Sequence, residues 1–136
     1  MRRQIMNLQS ILQAHPAPQQ LDPRVACLEA CLECSATCTS CADACLAEEG
    51  VAHLAECIRS DLDCADVCAA TAKLVARQTE TNTAILRAQL EACAAACRAC
   101  GDSCEQHKEM HEHCRVCTEA CRTCEQRCRE LLSALN

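Results

Sequence analysis

At 136 residues the chain has room for one bundle-sized core, yet it contains no Phe, Tyr or Trp, so the large rings that usually dominate a core are excluded. A formal net charge of −6 excludes the clustered basic excess that nucleic-acid phosphates require, and no apolar run approaches the roughly 18 residues of a membrane span. What the chain has instead is 18 cysteines, set with two glycines and three prolines in a background of Ala, Leu, Glu, Gln and Arg that is helical in composition.

The first element is predicted over residues 2–14, where Ile5, Leu8, Ile11 and Leu12 fall at helical spacing. So short an amphipathic helix must dock on something to be stable. Arg2-Arg3 invites comparison with an export signal, but Asn7, Gln9 and Ser10 interrupt the apolar region that a signal needs. The expected location is therefore cytoplasmic. Pro16 and Pro18 then mark residues 15–21 as a linker, with His15 a plain part of it.

Asp22 as N-cap and Pro23 at the first helical position predict a helix over 22–48, ended by Gly50 in a tight turn. It carries Cys27, Cys31, Cys34, Cys38, Cys41 and Cys45. A second helix over 51–77 has the stripe Leu54, Cys57, Asp61, Cys64, Cys68, Thr71 and Val75. Thr79-Glu80-Thr81-Asn82 supplies capping side chains for a third over 81–106, with Leu86, Leu90, Cys93, Cys97, Cys100 and Cys104 on one face. After a turn over 107–113, a fourth helix runs to about Leu135 and carries Cys114, Cys117, Cys121, Cys124, Cys128, Leu131 and Leu135. Steps of three and four place each set of thiols on one helical stripe, where a bundle normally puts leucine.

Four helices of similar length with short connections predict an all-α, antiparallel up-down-up-down four-helix bundle over 22–136, with the short N-terminal helix extra to it and the whole forming a single domain. Up-down topology makes the two ends unlike. Leu74, Val75, Leu86, Leu90, Leu131 and Leu135 collect at one end as an aliphatic plug; His53, His107, Met110, His111 and His113 collect at the other, beside Cys45, Cys57, Cys104 and Cys114.

Thiols three or four residues apart on a helix have Cβ atoms roughly 5–6 Å apart and pointing the same way, so two sulfurs can hold one soft ion between them. Cu(I) suits this arrangement because each ion replaces about one thiol proton and leaves a filled channel nearly neutral. Zinc with four thiolates leaves about −2 per site. Multiple Cu(I) per chain, up to about one per cysteine, implies storage rather than catalysis. Charged residues such as Glu29, Glu33, Asp66, Arg98, Glu119 and Arg122 fall off the stripes and are expected at solvated or interhelical faces. Leu28, Leu32, Ile58, Leu62 and Val67 are apolar without being on the stripes, and are expected to flank the core or form a subunit interface.

Other uses of so many thiols fit less well. Parallel Cβ vectors on one helix do not suit disulfides. The knuckle-like Cys97-Arg98-Ala99-Cys100-Gly101 and the pair Cys114/Cys117 suggest a zinc site, but both lie inside longer ladders. Iron–sulfur proteins commonly hold their cysteines in loops, often with Cys-Pro, which is absent. A zinc–thiolate cluster protein and a thiol redox sensor remain as alternatives. Asp61 reads equally as a partly hydrated carboxylate or local cap and as an oxygen ligand or charge relay near the mouth. His107 and His111 extend the stripes and are expected to handle metal on its way in, with His113 and Met110 as further candidates and His53 a surface residue.

The thiol ladders, the short N-terminal helix and the His/Met-bearing turn between the last two helices resemble the bacterial four-helix-bundle copper storage proteins. That resemblance implies a homotetramer of bundles, each holding many Cu(I) ions through cysteine pairs, with His107, Met110, His111 and His113 admitting copper. Exported members of the family carry a twin-arginine signal and fewer cysteines; 18 thiols without a proper signal look like the cytosolic branch. The second helix departs from the pattern, since only Cys57, Cys64 and Cys68 remain there and Asp61 interrupts the ladder.

Overall fold

A computed structural model describes residues 7–135. The predicted start of the N-terminal helix, with Ile5, lies outside the described residues. The elements are α1 (Leu8–Gln13), α2 (Leu21–Leu46), α3 (Ala55–Val75), α4 (Thr83–Glu105) and α5 (Glu112–Ala134), with one 3-10 turn at Val51–Leu54 before α3. No strand occurs among the described residues.

The boundaries correct several expectations. Helix α2 begins at Leu21, because Gln20 takes the left-handed conformation (φ 44°) and caps it; Asp22 and Pro23 sit inside the first turn, where an acidic side chain suits the dipole and a missing N–H costs nothing. It ends at Leu46 rather than 48, and Gly50 (φ −89°) stays in a region open to any residue. The second bundle helix is split into the 3-10 turn and α3. Asn82 caps α4 by accepting a hydrogen bond from Ile85 N at 3.1 Å.

Helix α2 packs on α3 and α5, and α4 packs on the same two, which gives a square ring of antiparallel neighbours. Cysteines therefore meet level by level: Cys27 faces Cys128, Cys34 faces Cys64 and Cys121, and Cys68 faces Cys93. At one end Val75, Leu86, Leu90, Leu131 and Leu135 are buried as expected, while Leu74 is only partly so. Helix α1 docks on α2 by burying Leu12, whose carbonyl accepts from Gln78 Nε2 at 3.1 Å. His15 is more than plain linker: Nδ1 accepts from Ala17 N and Nε2 donates to Thr79 Oγ1, both at 2.9 Å, tying the linker to the loop before α4.

Gly101 of the knuckle-like stretch lies within α4 for a packing reason. A Cβ there would meet Arg122 Nη1 at 2.8 Å, and that guanidinium crosses from α5 to Asp102 and Glu105 at 2.9 and 2.8 Å. Of the off-stripe apolar residues Leu28 is buried and Ile58 and Val67 pack against the core, whereas Leu32 and Leu62 are exposed.

Candidate metal centre

All 18 cysteines are free and buried, none more than 2% exposed. The 3/4 periodicity delivers this directly, since a stripe on each helix of a square bundle can face only the common axis. Neighbouring sulfurs lie 3.4–4.0 Å apart, from Cys57–Cys104 at 3.4 Å to Cys27–Cys31 at 4.0 Å, and the Asp61 carboxyl joins Cys104 to Cys100 and Cys117. Most of these contacts run between helices. The within-helix contacts include Cys34–Cys38 at 3.7 Å and Cys64–Cys68 at 3.8 Å. The pairing expected inside a helix is thus one part of a wider lattice.

Four-sulfur groups recur along the column: Cys31, Cys93, Cys124 and Cys128; Cys34, Cys68, Cys97 and Cys124; Cys34, Cys38, Cys64 and Cys121; Cys38, Cys100, Cys117 and Cys121. They overlap, for Cys34, Cys38, Cys121 and Cys124 each belong to two. The thiols also act on one another's protons. Cys34, Cys64 and Cys117 are held below the ordinary thiol range, chiefly by S–H groups of Cys121, Cys100 and Cys100 in turn. Cys38 and Cys124 are pushed above it, chiefly by Cys100 and Cys128.

At the histidine end the group changes to Cys41, Cys45, Cys114 and His113. His113 Nδ1 is 3.4 Å from Cys41 Sγ and 3.7 Å from Cys114 Sγ, while Nε2 is 2.9 Å from Glu48 Oε2. The same Glu48 oxygen is 3.2 Å from His111 Nδ1, and the two imidazoles stack at 5.4 Å. Both histidines hold the Glu48 carboxylate below its usual range, the hydrogen bond from His113 most of all. Burial pushes the Cys45 thiol up to about 11. His107 is half-buried, and its carbonyl accepts from Met110 N and His111 N at 3.1 and 3.0 Å, so the turn is built on it. Met110 (77% exposed) and His53 stand outside this cluster in solvent.

Asp61 is 0% exposed, which corrects the partly hydrated alternative. Its Oδ1 accepts from Cys100 at 3.0 Å, Cys117 at 3.2 Å and Cys104 at 3.3 Å, and its Oδ2 has no partner. Burial raises the carboxyl to about 8.

A sulfur lattice of this extent, closed at one end and rimmed with imidazole at the other, is a vessel for soft cations. The copper storage protein family matches residues 20–133. The chain belongs to that family. It is similar to the copper storage protein Ccsp of Streptomyces lividans loaded with 10 copper equivalents, at 52% identity over 93% of this chain and 98% of that one, with a TM-score of 0.91. A second structure, of a cytosolic copper storage protein from Streptomyces lividans with five coppers, is 56% identical over 85% of this chain and 96% of that one, with a TM-score of 0.83. The Cu(I)-bound Bacillus protein BsCsp3 is 39% identical over 80% of this chain and 97% of that one, with a TM-score of 0.71.

Two residues of this copper storage protein that contribute to its ends escaped the sequence reading. Glu48 aligns His111 and His113; its signal was a carboxylate in the turn at the histidine end. Arg24 is buried between the linker and the end of α3, and nothing in its local sequence signals it.

Proposed function

We propose that this chain is a non-enzymatic cytosolic store that holds many Cu(I) ions on its 18 thiols and fills through the histidine end. The observation that carries the proposal is the sharing of sulfurs between successive groups, because a shared sulfur is a bridging ligand. Bridged Cu(I) thiolate stays close to neutral at any length, so the dry column can be filled without stranding charge. Free thiols agree with a reducing compartment, and no described helix is long and apolar enough to cross a membrane.

His113, with Cys41, Cys45 and Cys114, takes the first ions inside the mouth. His111 and His107 pass ions to it, and exposed Met110 is the outermost soft donor. Asp61, a hard donor among soft ones, organises the thiols of Cys100, Cys104 and Cys117 rather than offering Cu(I) a preferred ligand. The family resemblance supports a homotetramer, for which exposed Leu32 and Leu62 leave apolar surface.

One observation favours zinc as a second reading. A tetrahedral site with Zn–S near 2.3 Å needs S···S of about 3.8 Å, which several sulfur pairs meet. Charge opposes it, since about −2 per site accumulates along a buried column. Anaerobic titration of the reduced protein against a tight Cu(I) chelator decides. Storage expects many Cu(I) per chain; saturation near about four Zn(II), one for each four thiolates, with feeble Cu(I) uptake would replace it with the zinc reading.

A further inference from the structure

The end of the bundle away from the histidines holds a charge that storage alone leaves unexplained. Arg24 is 1% exposed, and its guanidinium spans the gap between the linker and the end of α3. Nε donates to Gln19 O at 2.8 Å, Nη1 to Val75 O at 2.6 Å and Arg77 O at 3.2 Å, and Nη2 to Gln20 Oε1 at 3.3 Å. Every one of these acceptors is neutral. Burial opposes the charge, and Cys27, a single helical turn further along α2, favours it. A guanidinium keeps its proton in proteins, so a positive charge is fixed at the foot of the sulfur column.

A polar cavity of about 370 Å³, bordered by Gln19, Gln20, Gln78, Glu80, Thr81 and Thr83, also has Arg24 in its wall. It has room for several waters, and the Glu80 carboxylate would make it hospitable to a cation. Arg24 therefore touches a polar recess and lies one turn from Cys27, the thiol at this end of the column. Hydrocarbon excludes a bare ion by desolvation, but a hydrated polar recess lowers that barrier. A like charge raises it again.

We propose that Arg24 is the electrostatic stopper of this end: its fixed charge bars Cu(I) from passing between the recess and Cys27 and leaves the histidine end as the working mouth. The proposal rests on the Cu(I) storage reading. Arg24→Met fills much of the space without the charge, and Arg24→Lys keeps the charge with fewer hydrogen bonds.

Both substitutions are made in the full chain, alone and together with His107→Ala/His111→Ala. Cu(I) is delivered anaerobically from Cu(I)–bicinchoninate and withdrawn by excess chelator. With the histidines removed, Arg24→Met is expected to speed loading by about tenfold or more, because a like charge a few ångströms away in a protein interior is a barrier of more than one decade. Alone, it speeds withdrawal by a similar factor, and Arg24→Lys stays within about twofold of its parent in both assays. Arg24→Met no faster than its parent, or Met and Lys leaking alike, overturns the stopper. If Arg24→Met loses its helical circular dichroism, Arg24→Gln is judged by the same criteria. A parent protein that takes up no Cu(I) would instead overturn the storage reading.

Discussion

Glu48 Oε2 and His113 Nε2 are joined at 2.9 Å, and that bond decides which nitrogen of His113 faces the core. With the Nε2 proton committed to the carboxylate, the Nδ1 lone pair is left toward Cys41 and Cys114. The arrangement is an outer partner orienting a ligand, a role whose loss typically weakens a metal site by about 10- to 100-fold. Glu48→Ala is expected to slow Cu(I) uptake from a chelating donor about tenfold while leaving final capacity unchanged. Stopped-flow loading followed by a metal count checks both; lost capacity at an unchanged rate would contradict this account of Glu48.

His111 stands beside that pair through the same Glu48 oxygen, and the His107 carbonyl accepts the backbone N–H of His111. Replacing both with Ala should slow loading by more than it lowers capacity, because the 18 thiols that hold the cargo are untouched. Loading kinetics and equilibrium stoichiometry measured on the same sample separate the two. A large fall in capacity with an unaltered rate would make these imidazoles storage ligands instead of carriers.

The interior was legible because burial on a helix writes itself as a period of 3.6, and every thiol obeys it. Helix ends were legible less well. Asp22-Pro23 resembles a start signal, but Gln20 can take a left-handed cap and so move the start to Leu21. Leu28 and Leu32 sit one turn apart on α2 with similar side chains, yet Leu28 is 4% exposed and Leu32 43% exposed. Nothing local distinguishes them. Arg24 is the extreme case: its burial depends on carbonyls of Val75 and Arg77, about fifty residues away in the chain, which no spacing rule can see. Glu48 likewise gains its role only when the last two bundle helices bring His111 and His113 beside it.

The metal-free protein should fold. Protonated thiols bury as small hydrophobes, and Val75, Leu86, Leu90 and Leu131 form a conventional core beneath them. Removing Leu90, which is 0% exposed, as Leu90→Ala should cost about 2–5 kcal/mol in urea unfolding of the metal-free form. Copper loading should raise the midpoint of parent and variant alike, since ligand that binds only the folded state adds to its stability. A metal-free parent with coil-like circular dichroism would show that copper, and not this packing, drives folding.

Asp61 predicts how that stability responds to pH. Its carboxyl is fully buried and raised to about 8 by burial, against an ordinary value of 3.8. The folded chain therefore keeps a proton that the unfolded chain releases above about pH 4, and stability falls as pH climbs through the interval up to about 8. At about 1.4 kcal/mol per pH unit the loss between pH 4 and pH 7 is roughly 4 kcal/mol from this group alone. Asp61→Asn keeps the shape and removes the titration. Thiols titrating nearby affect both proteins, so the informative quantity is the difference between their urea midpoints. It should move steadily in favour of the Asn variant from pH 5 to pH 8, whereas a difference that ignored pH would mean the carboxyl is ionised throughout and that Cys100, Cys104 and Cys117 donate to a true anion.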